Sequence, residues 1–498
     1  MFLGIILTIA LIIAISLIAG RKATAENFAT GGRNANTWIV CGTLMGTIIS
    51  GQATVGTAQL AFSFGISAWW FTIGAAIGVL LLGLFFVRPL RNSGSITLME
   101  IIGRQYGRRV ETVGSCLCVI GIFISIVAQI IASSALIATL FPRVGFVAAA
   151  VIAMLLMLIY VVFGGLLGAG LGGIVKTSLL YLSAAVAGIT VWHLSGGLGP
   201  LMQSIAHIHT STPLGTISGI ADASQLRQHY GNILARGPLH DLGSCLALVL
   251  GVLSTQTYAQ ALWAGRTDRA ARRGALLSAL LIPPIGAACT LVGLYMRAHY
   301  VTADEYQSFL ALGAALPSGV QVLPHTVQAF PLFVTHHLPG FFGGVVLGTL
   351  IVTIVGGGSG LTLGAATILV RDLFEPLRRR RRPTAAAATL GQQRLVVVVL
   401  LLIAVAVSAT IRGTFLNDLG FLSLGLRATA VLVPLLGALA MPGRLRPSTV
   451  LTATIAGTLM LLVAQMLHLP ADPVFYGMGL SILITAAGCL WHPRSAKQ

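Results

Sequence analysis

The chain has 498 residues, of which 56 % are hydrophobic and only 8 % charged. That leaves too little polar surface to cover one large soluble domain or several small ones, so the composition requires an integral membrane protein. The net charge of +18 invites a nucleic-acid partner, but under an alternating topology with the N-terminus outside, the Lys and Arg residues crowd the loops on the cytoplasmic side. This positive-inside bias reports orientation, and no nucleic-acid partner is inferred.

Apolar runs near the roughly 20 residues that cross the hydrocarbon core lie at 2–20, 37–63, 66–87, 112–141, 145–163, 169–193, 242–263, 274–297, 340–370, 395–411, 414–441, 448–468 and 473–491. They predict an all-α, multi-pass protein of the cell membrane with thirteen spans and a cytoplasmic C-terminus. The first run carries no positive charge before it and has Arg21 and Lys22 after it, which reads as a retained span and not as a signal peptide. Between spans, the longest polar stretches are the outer loops of about 195–240 and 298–338 and the inner loop 373–394, so the function is expected within the bundle. The run Arg378 to Arg382 reads as a topology determinant, with contact to anionic membrane lipid as a secondary role.

The residue inventory excludes most catalysis. Twelve acids are present, and Glu111, Asp241, Asp372 and Asp418 fall at span ends, so paired-carboxylate or carboxylate–metal chemistry has no place to be built and no enzyme activity is expected. The six cysteines lack metal spacing and read as small buried hydrophobes; no cofactor or metal is inferred. Histidines such as His207, His209, His336 and His337 sit at the outer ends of spans, where interfacial packing is the plain reading and a metal site or pH sensor the rival. Gly168-x-Gly170-x-x-Gly173 resembles a dinucleotide fingerprint but lacks the preceding strand and the later acid.

Three glycine-rich segments interrupt apolar spans: "GTLMGTIISGQATVGTAQ" (42–59), "FGGLLGAGLGGIVKTSLLY" (163–181) and "IVTIVGGGSGLTLGAAT" (351–367). Glycine costs roughly 1 kcal/mol relative to alanine in a helix. Helices broken in pairs at membrane depth mark transporter binding sites, while close helix packing through small residues is the alternative.

With "ITLMEIIGRQYGRR", "QTYAQALWAGRTDRAARRGALLSA" and "GGGSGLTLGAATILVRDLF" in the same order, the chain resembles the sodium:solute symporter family over about 25–440. The resemblance implies a LeuT-type core of two inverted repeats, 35–193 and 242–441, joined by the outer loop 194–241. A first helix and inner loop (1–34) would precede the core, and two helices with a short inner tail (442–498) would follow it. It implies a sodium ion between the first and eighth core helices, on the carbonyls of Gly46, Ile49 and Thr353 and on two hydroxyls. Those hydroxyl positions fall on Gly356 and Gly357, and the family's frequent Asp falls on Gly173.

Lys176, one helical turn from Gly173, suggests a replacement. Its ammonium would occupy the sodium position, donating to the carbonyls of Gly46, Ile49 and Thr353, with Gly356 and Gly357 leaving room for its stem. Such a lysine could exchange a proton during transport or stay charged and make the carrier ion-independent. Snorkelling to the inner surface, or Na+ bound by other ligands, are the alternatives.

The substrate region implied by the resemblance contains Ser50, Gln52 and Ala53 on the first core helix and Thr255 and Gln256 on the sixth. Arg427 is a second intramembrane cation, read as meeting an anionic small-molecule substrate, as part of a gate, or as bonded to backbone carbonyls. The sparse amides and acids favour a small carboxylate or amino acid over a sugar. The expected function is secondary transport by alternating access, with H+ or Na+ as coupling ion; the rival is a membrane sensor that keeps the fold without transport.

Overall fold

The computed structural model describes residues 1–20, 33–210, 212–220, 222–317, 319–381, 390–411 and 414–490. Arg21, Lys22, Arg382 with the rest of the inner loop to 389, and the C-terminal tail lie outside the described residues.

The protein is a nearly all-helical bundle. An N-terminal helix α1 (Phe2–Gly20) precedes α2 (Thr37–Ile48), α3 (Thr57–Phe64) and α4 (Trp70–Leu81). After a short α5 (Leu98–Tyr106) come the long α6 (Arg108–Leu140) and α7 (Phe146–Ser195). Outside the membrane spans, α8 (Leu198–Thr210) and α9 (Ala223–Tyr230) lead into α10 (Pro238–Leu253), α11 (Gln256–Ala264) and α12 (Asp268–His299). A two-stranded parallel pair, β1 (Tyr300–Thr302) and β2 (Gln321–Leu323), precedes α13 (Gly340–Ile368). The chain then runs through α14 (Leu390–Ser408), α15 (Leu416–Arg427), α16 (Val433–Ala440), α17 (Pro447–Met466) and α18 (Pro473–Leu490).

Among the described residues, nine helices are long and apolar enough to span, α10 with α11 forms one bent pair, and Phe2–Ile15, Thr37–Ile48 and Phe146–Val161 are shorter apolar helices. Large apolar side chains such as Leu280 and Ile189 point outward, as lipid-facing surface requires. The helical hydrogen bonding of α7 continues through the stretch where the sequence predicts two separate spans.

Two breaks position the site. At the first, Asn36 caps α2 by accepting from the Ile39 N–H at 2.9 Å, and α2 ends at Ile49, whose backbone is extended with φ −80° and ψ 99°. The chain re-enters helix through a π-turn, Gln52–Gly56, before α3. This leaves backbone carbonyls around 46–49 without their usual partners four residues on. The second break lies at Ser254–Thr255, where α10 and α11 bend by 46°. The broken helices are thus the first and the sixth of the core.

The glycines of 351–367 do not break their helix: α13 is continuous from Gly340 to Ile368. They serve close packing instead. A Cβ at Gly357 would meet Ser50 Cβ at 2.3 Å, one at Gly358 would meet Met157 Cε at 2.7 Å, and one at Gly360 would meet Thr47 Oγ1 at 2.7 Å. Neighbours press on this turn from several sides, so the missing side chains are filled by other helices.

Candidate functional site

Lys176, on α7, is fully buried, and its stem runs toward the break after α2. Its Nζ donates to the carbonyl oxygens of Gly46 at 2.5 Å, Ile49 at 3.1 Å and Thr353 at 3.2 Å. Three carbonyl dipoles match the three donors of an ammonium. Ile49 is the extended residue that ends α2, so the break and the lysine share one cause: the freed carbonyls need a cation or donor, and the buried ammonium needs acceptors.

The glycines divide their roles here differently from the sequence expectation. A Cβ at Gly356 would lie 3.4 Å from Lys176 Nζ and 3.6 Å from its Cδ, so Gly356 does border the lysine. Gly357 faces Ser50, and its missing side chain makes room for the broken helix, not for the lysine stem. Gly173 is a contact point between backbones: its Cβ would meet Gly42 O at 2.0 Å, and a Cβ on Gly42 would meet Gly170 O at 2.4 Å. This approach of α7 to α2 brings the Lys176 stem within reach of Gly46.

Beyond the break lies a small internal cavity with about 20 Å³ open to the centre of a water molecule. Ser50 and Gln52 line it from the first broken helix, Tyr258 from the sixth, Ser125 from α6 and Arg427 from α15, against apolar walls that include Phe71 and Leu248. Ala53 is buried in the π-turn and is not among the lining residues.

Arg427 is 1 % exposed. Its Nε donates to Ser423 O at 3.1 Å, Nη1 to Thr255 Oγ1 at 2.8 Å, and Nη2 to Ser125 Oγ at 3.0 Å and Ser423 Oγ at 2.7 Å. Thr255 thereby serves as an acceptor for Arg427 at the second break, and its hydroxyl donates to Gly251 O at 2.6 Å. Gln256 points the other way, toward the 96–98 segment: its Oε1 accepts from Leu98 N at 2.9 Å and its Nε2 donates to Ile96 O at 2.9 Å. It joins the sixth helix to the 96–98 segment and does not line the cavity.

The sequence reading passed over Gln129, which organises the first break. Its Oε1 accepts from the Gly51 N–H at 2.9 Å, and its Nε2 donates to Ser50 Oγ at 3.1 Å and Gln52 Oε1 at 3.3 Å. The signal was present: a buried amide in an apolar run has to find partners. Ser125 was passed over because a serine hydroxyl in an apolar helix is commonly absorbed by its own backbone.

Polar pairs lie beyond the cavity on two sides. On one side Arg236 pairs with Asp418 at 2.9 Å and lies over the rings of Phe64 and Phe421 at 5.6 and 5.7 Å. On the other side Thr97 donates to Asp372 at 2.9 Å and Arg91 pairs with Asp268 at 2.7 Å. Of the histidines, His209 is buried between Ile205 O and Arg297, and His336 meets the Tyr300 hydroxyl at 2.7 Å. Among the described residues no group of three His, Cys, Asp or Glu is placed to hold a metal ion.

Comparison with known proteins matches this arrangement. The model of the family described as "Sodium:solute symporter family" matches residues 28–457. The chain is 25 % identical over 382 residues to an uncharacterized symporter, YwcA, of Bacillus subtilis, covering 76 % of this chain and 69 % of that protein. It is 20 % identical over 358 residues to the sodium/glucose cotransporter of Vibrio parahaemolyticus, covering 72 % and 64 % respectively. The solved structure of a Na+-coupled sialic acid symporter in a substrate-bound outward-open state superposes with a TM-score of 0.73 at 16 % identity, over 98 % of this chain and 96 % of that one. That likeness shows the LeuT-type fold.

Proposed function

Since the chain belongs to the sodium:solute symporter family and is a secondary transporter embedded in the membrane, we propose that it moves a small carboxylate or amino acid by alternating access, with Lys176 standing in place of a bound sodium ion. Transport is then proton-coupled through Lys176, or ion-independent if the lysine stays charged throughout. The observation that supports this reading is the Lys176 ammonium between the carbonyls of Gly46, Ile49 and Thr353. A sodium ion placed among the same oxygens would meet the ammonium at contact distance, and two like charges that close in a dry site repel by many kcal/mol. Gly356 and Gly357 supply no hydroxyl to replace the lost coordination.

The substrate site of this reading is the cavity beside the break, with Ser50, Gln52 and Arg427 on its wall. Because Ile49 holds Lys176 and Ser50 lines the cavity, adjacent residues carry the cation position and the substrate position. Movement of the broken helix therefore acts on both.

The test is thermal stability of the purified protein in Na+ against N-methylglucamine, for wild type and Lys176→Ala. A ligand at 100 times its dissociation constant adds about 2.7 kcal/mol to the folded state. The expected result is a wild type indifferent to Na+ and a Lys176→Ala variant of lower melting temperature. Equal stabilisation of both by Na+ would establish a sodium symporter with other ligands and remove the built-in cation.

A further inference from the structure

We infer that the cavity takes a short monocarboxylate without an ammonium group, its carboxylate on the Arg427 guanidinium. This rests on the reading of the chain as a carrier with its substrate beside the broken first helix, and it narrows that substrate to one class.

Charge is the first ground. Arg427 is buried, and its partners are one backbone carbonyl and the hydroxyls of Ser125, Ser423, Thr255 and Tyr258, all neutral. Such partners solvate a guanidinium without cancelling its charge, and a buried charge without a counter-charge is costly. None of the residues lining the cavity is acidic. A carboxylate ligand supplies the missing charge by displacing neutral hydroxyls from the guanidinium N–H groups they now occupy, and the Tyr258 hydroxyl on the same wall can turn to donate to it.

The second ground separates a plain acid from an amino acid. An amino acid brings an ammonium that needs carbonyl or carboxylate acceptors. The freed carbonyls of the first break, at Gly46 and Ile49, are already taken by Lys176 Nζ. The next acceptors along, Ser50 Oγ and Gln52 Oε1, receive the Gln129 amide. A second ammonium would thus arrive at an occupied cation position, next to a like charge.

Size and polarity give the third ground. The roughly 20 Å³ open to water centres holds one or two waters. The rest of the wall, including Phe71, Ala75, Leu248 and Val252, offers an acid's tail only apolar contact. A hexose needs several hydrogen-bonding groups around its ring and far more room.

The experiment is exchange in proteoliposomes preloaded with unlabelled propionate, followed by uptake of labelled propionate, acetate, alanine, succinate, choline or glucose. Exchange needs no ion gradient, so it reads the substrate separately from the coupling ion. Propionate exchange that requires Na+ would sink the Lys176 reading and leave this one standing. Sodium-indifferent melting without monocarboxylate exchange would do the reverse. Propionate and acetate should exchange about tenfold or more faster than alanine, and Arg427→Gln should lose about tenfold or more of that exchange. Should Arg427→Gln fail to fold, Ala75→Leu leaves the charges in place and should shift preference from propionate toward acetate. Alanine, succinate, choline or glucose exchanging as fast as propionate, an unshifted preference in Ala75→Leu, or full propionate exchange by a folded Arg427→Gln overturns the inference.

Discussion

Adjacent glycines in α13 make opposite predictions for the same substitution. At Gly357 an added Cβ would stand 2.3 Å from Ser50 Cβ, where carbon atoms normally rest about 3.5–4.0 Å apart. Ser50 is held by the Gln129 amide and by its place in the break, so the clash meets a carbon close to backbone and not the loose end of a long side chain. Overpacking of this kind costs roughly 1–3 kcal/mol, set against about 1 kcal/mol of helix propensity gained on leaving glycine. Gly357→Ala should therefore lose on the order of 1 kcal/mol net, the difference of those two terms. At Gly356 the nearest atoms are Lys176 Nζ at 3.4 Å, its Cδ at 3.6 Å and Gly46 O at 3.8 Å, which is ordinary contact. There the propensity gain survives, and Gly356→Ala should melt at or above the wild-type temperature. Thermal melting of the three purified proteins in one detergent decides it. If Gly357→Ala melts at or above wild type while Gly356→Ala falls below it, the assignment of one glycine to the lysine and the other to the broken helix is wrong.

Two further outcomes follow from other contacts. Gln129→Leu strands the buried Gly51 N–H and removes the donor to Ser50 and Gln52, so it should lower stability by about 2 kcal/mol and slow transport; an unchanged melting temperature would mean that the break does not lean on this amide. His209, on α8 outside the spans, is pushed down to about 4 by burial and then by the Arg297 cation, with Glu305 opposing and His229 adding to the fall. It is neutral when folded and charges more readily when unfolded, so its contribution is complete above about pH 6.5 and is lost as pH falls toward 4, by about 3 kcal/mol in all. Melting curves of wild type and His209→Gln should converge on acidification, and parallel curves across that range would contradict the assignment.

What could be read in the sequence followed chemical rarity. A lysine in an apolar helix is conspicuous because burying it is costly, and the carbonyls expected around Lys176 are the three its Nζ reaches. Arg427 was conspicuous for the same reason. Glycine content was less informative, because a gap in the side chains looks the same in sequence whether the backbone breaks there or a neighbour fills it. The 42–59 segment breaks, whereas α13 stays continuous with Ser50, Met157 and Thr47 pressed into its glycines. Gln256 was misplaced for a related reason: it begins α11, and which side of a helix start its amide serves depends on the 96–98 segment arriving from far away in the chain. Gln129 likewise acquires its role only when the broken helix is laid beside it.

The two buried cations and the two breaks form one argument about coupling. Lys176 grips the carbonyls that end α2, and Arg427 grips the hydroxyl of Thr255, the residue at which the sixth helix breaks. Each discontinuity in the backbone is thus stabilised by a positive side chain from a neighbouring, unbroken helix. Releasing either contact leaves buried carbonyls or hydroxyls unpaired, at about 1–3 kcal/mol for each stranded group. In the proposed carrier, an anion arriving at Arg427 competes for the same donors that hold the second break, and a proton leaving Lys176 weakens the hold on the first. Substrate and proton then act on different broken helices that face one cavity, so each changes the cost of moving the other without any direct contact between them.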